Sequence, residues 1–79
     1  MQSTLNPIEQ HVIDFVLKLR KSRKLTQEDI GVVIGVGNTF VSSVENPKHP
    51  AKYNLSHINA LADHFGISPK EFLPEKALK

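Results

Sequence analysis

The stretch LTQEDIGVVIGVGNTFVSSVEN, residues Leu25–Asn46, contains two short amphipathic patterns separated only by Gly-Val-Gly at residues 35–37. Gly35 is expected to end the first helix in a left-handed conformation, which glycine adopts without steric cost. Two helices joined by so few residues cannot lie flat and antiparallel, so they must cross steeply. The stretch therefore predicts a pair of crossed helices over residues 26–46.

The first helix of the pair is predicted to begin after Thr26, a residue that caps helices well. Glu28 and Asp29 lie in its first turn, where negative charge suits the helix dipole. Its buried stripe is formed by Ile30, Val33 and Ile34. Gly31 costs about 1 kcal/mol relative to alanine inside a helix, which indicates that another helix approaches closely there.

The second helix of the pair should begin near residue 37 or 38 and stop before Pro47, which cannot continue a helix. At about 100° per residue, Val41 and Val44 point to one side, and Phe40 lies on a flank. The opposite side carries Thr39, Ser42, Ser43 and Asn46. We expect the valines to anchor this helix in the core and the polar side to face outward.

Three further helices are predicted around this pair. Asn6 caps a first helix that runs to about Ser22, with Pro7 at its first position. Asn54 caps a fourth helix that Gly66 closes, and residues 68–71 form a capping box that opens a short fifth helix. Residues 75–79 form a flexible tail. The prediction is a compact, all-α, five-helix single domain over residues 1–79.

Composition excludes several functional classes. The 79 residues include no cysteine, so disulfides and thiolate metal sites are impossible. No secretion signal and no apolar run of membrane-spanning length is present, and we expect a soluble protein of the bacterial cytoplasm. His57 and His64 share a helix face without a third ligand, and Ser42 and Ser43 have no partnered base. We therefore expect no metal, cofactor, small-molecule ligand or enzymatic activity.

The net charge of +2 is unevenly distributed. KLRKSRK, residues 18–24, holds five cations and no anion, and a second basic cluster contains Lys48, His49 and Lys52. Such clusters are either solvated faces or contacts to phosphate. The predicted phosphate contacts among these and neighbouring residues are Arg23, Lys24, Asn46, Lys48 and Lys52.

From about Leu17 to Leu73, the chain resembles the Cro/C1-type helix-turn-helix family, which includes phage repressors and xenobiotic-response-element regulators. The matching residues are Arg20, Leu25-Thr26-Gln27-Glu28, Ile30, Gly35-Val36, Val41-Ser42, Val44-Glu45-Asn46, Leu61-Ala62, Gly66-Ile67-Ser68 and Phe72-Leu73. The resemblance implies a lambda-repressor-like fold in which helices two and three form the helix-turn-helix. Gly37 departs from the family pattern, which usually has serine or threonine there.

Site residues follow from the resemblance position by position. It implies that Gln27 contacts a DNA phosphate and that Arg20 and Glu45 form a partly buried salt bridge between helices one and three. The residues that would face the bases are Asn38, Thr39, Ser42 and Ser43.

Two functions are compatible with these observations. The first is a transcription regulator, a repressor, that binds double-stranded DNA as a homodimer, with Phe72, Leu73 and Leu78 on the dimer surface. The alternative is an antitoxin-like or accessory module that uses the same fold to bind a protein partner. Its signature would be an exposed apolar patch, for which Phe40, Tyr53 and Leu78 are the candidates.

Overall fold

The computed structural model describes residues 5–79. This range contains four α-helices and no strand: α1 (Pro7–Ser22), α2 (Gln27–Ile34), α3 (Asn38–Glu45) and α4 (Leu55–Phe65). One 3₁₀ turn, Pro69–Phe72, follows α4. The predicted all-α fold is confirmed, but the predicted count of five helices is not. Nowhere in residues 5–79 does a helix combine the length and the apolar character of a membrane span.

Side-chain caps fix where α1 and α2 begin. Asn6 Oδ1 accepts a hydrogen bond from the Glu9 amide (3.1 Å), and the Glu9 carboxylate accepts one from the Asn6 amide (3.4 Å). Thr26 and Asp29 form the same reciprocal pair at the start of α2, at 3.0 and 2.8 Å. Each pair satisfies two backbone donors at a helix start. Both starts agree with the sequence prediction.

The start of α4 has a capping pair that contains a histidine. Asn54 Oδ1 accepts from the His57 amide (2.8 Å), and His57 Nδ1 accepts from the Asn54 amide (3.1 Å). An unprotonated imidazole nitrogen thus takes the part that a glutamate carboxylate usually has. At the ends of α2 and α4, Gly35 and Gly66 have the predicted left-handed φ, at 78° and 70°.

The turn between α2 and α3 packs directly on Gly31. The Val36 amide donates to the Gly31 carbonyl (2.8 Å), and a Cβ at position 31 would lie 2.7 Å from the Val36 carbonyl oxygen. The sequence predicts that another helix approaches Gly31. The structure corrects this prediction, because the approaching group is the backbone of the turn itself. Gly31 therefore sets how closely the turn can fold back on α2.

One apolar core joins the four helices and the 3₁₀ turn. Each element contributes one of the most deeply buried side chains: Val16, Ile30, Val41, Leu61 and Phe72. The Phe72 ring packs against Phe15, with centroids 4.7 Å apart. The prediction that Phe72 belongs to a dimer surface is therefore wrong, since its side chain is buried within its own chain.

The predicted fifth helix is a single 3₁₀ turn. Ser68 Oγ accepts from the Lys70 amide (3.3 Å), and the Glu71 amide donates to the Ser68 carbonyl (2.9 Å), so the predicted capping box is not formed. Leu73 precedes Pro74 and is extended, at φ −110° and ψ 152°. The residue before a proline avoids the helical region. Too few residues therefore remain between the two prolines for an α-helix.

We predict that Gly31→Ala destabilises the fold by about 1–3 kcal/mol in spite of alanine's higher helix propensity. The added methyl group would meet the Val36 carbonyl, which is backbone and cannot rotate away. The free energy of unfolding, measured by urea denaturation, tests this expectation.

Gly37→Ser is the matched control, and it should change stability in the opposite direction. Gly37 is the N-cap of α3, provides no side-chain hydrogen bond there, and has open space around its Cα. A serine hydroxyl would supply the missing cap, for a gain of a few tenths of a kcal/mol. Equal losses from the two substitutions would contradict this account of the turn.

Candidate nucleic-acid interface

α3 turns its valines inward and most of its polar side chains outward. Val41 and Val44 are 0 and 2 % exposed and belong to the core. Ser43 is half-buried on the flank of the helix. The remaining residues predicted to face bases are exposed: Asn38, Thr39 and Ser42. Their spacing along the helix brings these three to one side, where they form a surface that we call the α3 face.

The α3 face carries hydroxyl and amide groups and no charge. Such groups donate and accept hydrogen bonds, as the base edges in the major groove of DNA require. An α-helix also has the width that this groove admits. The α3 face is thus suited in shape and chemistry to reading base pairs.

The last residue of α3 is held by a partly buried ion pair. Arg20 Nε and Nη2 donate to the two carboxylate oxygens of Glu45, both at 2.8 Å, and Arg20 Nη1 donates to the Leu25 carbonyl at 3.0 Å. The two side chains are only 14 and 9 % exposed. The planar guanidinium matches the carboxylate with two parallel bonds. α1, the α1–α2 connection and α3 are thereby fixed to one another.

Gln27, predicted to contact a phosphate, belongs to the same network. Its Nε2 donates to Glu45 Oε1 at 2.9 Å, which links the start of α2 to the end of α3. A carboxamide nitrogen has two hydrogens, and this bond uses one of them. Gln27 therefore has one N–H left for a ligand.

Two of the predicted phosphate contacts bind other parts of the protein. The Arg23 guanidinium lies over the Phe65 ring, 5.2 Å from its centroid, at the end of α4. Lys52 Nζ lies 2.7 Å from the carboxylate of Glu9, near the start of α1. The hydrogen bond from Lys52 lowers the pKa of Glu9. Both cations are thus engaged away from α3.

The other predicted phosphate contacts lie in the two connections that flank the helix pair. Lys24, in the α1–α2 connection, is exposed and has a left-handed φ of 58°. Lys48 is exposed in the loop after α3, where its amide donates to Asn46 Oδ1 (3.0 Å). Asn46 therefore shapes this loop, while the Lys24 and Lys48 side chains extend into solvent.

An aromatic cluster joins α3 to the residues around the start of α4, and the sequence does not predict it. Phe40 meets the His57 and Tyr53 rings at centroid distances of 5.3 and 6.2 Å, and those two rings are 6.0 Å apart. The Tyr53 hydroxyl is buried, and no described residue forms a hydrogen bond with it. Burial raises the pKa of Tyr53, and the negative charge of Glu45 adds to that effect.

His57 has a structural function in this cluster. Its Nδ1 caps α4, and burial lowers its pKa. His64 instead stacks edge-on against Phe65, at a centroid distance of 4.9 Å. Residues 5–79 contain no group of three or more histidine, aspartate or glutamate side chains placed to hold a metal. The sequence signal for the capping role of His57 was its position three residues after a capping asparagine, Asn54.

We predict that Glu45→Ala lowers the free energy of unfolding by about 2–3 kcal/mol, because it leaves the Arg20 guanidinium partly buried without its partner. Urea denaturation measures this loss. The double variant Arg20→Met, Glu45→Leu should recover part of it, since no unpaired charge then remains in the interior. A double variant less stable than the single one would contradict this explanation.

We also predict that acid weakens the fold through His57. A histidine whose pKa in the folded protein lies below its ordinary value of 6.5 contributes stability that is present above pH 6.5. That stability is lost as the pH falls through the folded-state pKa. Protonation removes the Nδ1 acceptor and places a positive charge at the start of α4.

Unfolding free energies of the wild type and of His57→Gln, measured between about pH 7.5 and pH 5, test this expectation. The glutamine can still accept the Asn54 N–H bond but does not titrate, so the variant should lose less stability in acid. Identical pH profiles for the two proteins would exclude His57 as the cause.

Comparison with known proteins adds one finding to this geometry. A helix-turn-helix family model matches residues 16–72, well over half of the chain. The match includes the ion pair, the α2–α3 turn and the α3 face. Searches of curated proteins and of solved structures gave no match. The chain belongs to the Cro/C1-type helix-turn-helix family of DNA-binding proteins.

Proposed function

We propose that this chain is a sequence-specific transcription regulator that inserts α3 into the major groove of double-stranded DNA. The observation that carries the proposal is the α3 face, whose polar side chains are exposed while the valines behind them are buried. A helix fixed in this way presents donors and acceptors without any further rearrangement. In this role, Asn38, Thr39 and Ser42 contact bases, and Ser43 supports them from the flank.

Phosphate contacts would position α3 on the duplex. Lys24 and Lys48 are exposed on either side of the helix pair, and we assign both to the DNA backbone. Gln27 joins them through its remaining N–H group. Arg23 and Lys52 are weaker candidates, because a ring contact and an ion pair engage them elsewhere in the chain. Asn46 contributes by shaping the loop that carries Lys48.

The small size of the reading helix supports a homodimer. α3 has eight residues and is therefore about 12 Å long, which is enough for one half-site. Dimers of helix-turn-helix proteins read two half-sites about 34 Å apart, on one side of the duplex. Repression is the simplest outcome, because an occupied operator excludes other proteins without an additional contact.

The alternative function, a module that binds a protein partner, has some support from surface hydrophobicity. Two of its predicted contact residues are unsuitable, since Tyr53 is buried and Phe40 is half-buried. Leu78 is exposed, as are Ile8 and Leu55. The salt dependence of duplex binding separates the two functions, because a protein that neutralises phosphates loses affinity steeply as salt rises.

The experiment that tests the proposal compares Ser42→Glu with Asn59→Glu. Both substitutions add one negative charge at an exposed helix position, but only the first lies on the α3 face. Duplexes selected by the wild type from random DNA serve as probes. We expect Ser42→Glu to lose affinity by about 100-fold or more, through lost base contacts and repulsion from phosphates.

Asn59→Glu should retain nearly the wild-type affinity, and both variants should keep the helical circular dichroism spectrum. Equal binding by the two variants would remove α3 from the groove. Failure of the wild type to select any duplex, or an affinity that does not respond to salt, would favour the protein-binding alternative.

A further inference from the structure

Both arginines of the chain are engaged away from the α3 face. The sequence contains two, Arg20 and Arg23. Arg20 is partly buried, and its guanidinium donates to the Glu45 carboxylate and to the Leu25 carbonyl. Arg23 lies over the Phe65 ring at the end of α4. A bidentate arginine is the commonest specific contact to guanine, so the strongest means of reading a G·C pair is not available to this chain.

The lysines assigned to phosphate lie away from the start of α3. In helix-turn-helix proteins, the N-terminal residues of the reading helix contact the base edges. Residues 38–45 contain no lysine, and Lys48 follows the opposite end of α3, beyond Pro47. Lys24 precedes the start of α2, which Gln27 joins to that same far end of α3. Neither lysine is therefore placed to bind guanine where α3 begins.

The α3 face carries groups that match A·T pairs. Adenine presents an acceptor, N7, and a donor, its amino group, and one carboxamide can bond to both. Asn38 has the carboxamide of the α3 face and is the first residue of α3. Thymine presents a methyl group, against which the methyl group of Thr39 can pack. The Ser42 hydroxyl can bond to either kind of base pair and leaves this preference unchanged.

The side chains of the α3 face are free to make these contacts. Asn38, Thr39 and Ser42 are all exposed. Within residues 5–79, no hydrogen bond uses any of their three side chains. A duplex would therefore not have to break a contact within the protein in order to bind them.

We propose that the half-site read by α3 is built from A·T pairs, with Asn38 bonded to an adenine and Thr39 packed against a thymine methyl group. The inference rests on the proposed function and names the class of duplex that this function requires. Discrimination comes from two short side chains and is modest. We expect a G·C pair opposite Asn38 to weaken binding by about tenfold.

Selection of duplexes from random DNA, by the wild type and by Asn38→Arg, tests the base preference. Wild-type duplexes should share a core of A·T pairs. Asn38→Arg should change one pair of that core to G·C, because a guanidinium can bind guanine O6 and N7 together. Lys48→Ala is the control, since it removes a cation beyond the far end of α3 and should weaken binding without changing the selected core.

Base analogues in the selected duplex test the two contacts separately, with one position changed at a time. An adenine analogue with C–H in place of N7 removes the acceptor, and uracil in place of thymine removes the methyl group. We expect the first analogue to weaken wild-type binding by about fivefold and the second by about threefold, each at one position of the half-site. Asn38→Ala should not respond to the first analogue, and Thr39→Ser should not respond to the second.

A selected core of G·C pairs would overturn the inference and leave the proposed function intact. A wild type that selects no duplex would instead refute the proposed function, and the inference with it. An A·T core that responds to neither analogue would also overturn the inference, because the shape of the duplex would then be read rather than its base edges. Analogue effects that persist in Asn38→Ala and Thr39→Ser would do the same, since other residues would then make the contacts.

Discussion

The position of α3 depends on the ion pair between Arg20 and Glu45. An isolated helix of eight residues is not stable in water, so α3 must obtain its order from the rest of the chain. Its apolar contribution to the deep core consists of two valines. The two hydrogen bonds from Arg20 to Glu45 fix the far end of α3 to α1. The side-chain carboxamide of Gln27 joins the Glu45 carboxylate to the start of α2. The two helices of the motif are thus joined at one acidic side chain.

The near end of α3 is held in a different way. There, the turn lies against the bare Cα of Gly31, and the Val36 amide bonds to the carbonyl of that glycine. Steric fit controls one end of the helix, and charge controls the other. The exposed residues of the α3 face lie between these two ends and take part in neither contact. In the proposed function, their side chains are therefore available to contact bases.

Much of the fold could be predicted from the sequence because its determinants are local. Helix starts at Asn6, Thr26 and Asn54 follow from capping patterns within four residues, and the glycines at 35 and 66 end helices as expected. The inward valines of α3 follow from periodicity. The last helix was predicted to be longer than the 3₁₀ turn that forms, although the prolines that limit it, Pro69 and Pro74, are also local in sequence.

The candidate site was less predictable, because its charged residues are paired over long distances in sequence. Lys52 meets Glu9, and Arg23 meets Phe65, across more than forty positions in each case. No local pattern encodes such contacts, so a count of cations overstates how many are available to DNA. The Arg20–Glu45 pair is the exception, since the family resemblance implied it from residue identity.

The α3 face has a consequence for how such a protein can change over time. Asn38, Thr39 and Ser42 lie outside the core, so other side chains can replace them at little cost in folding free energy. In the proposed function, a duplicated gene could then acquire a new DNA target through a few codons while the framework that holds α3 stays the same. Substitutions that change the target and substitutions that change the stability of the fold would then fall on different residues.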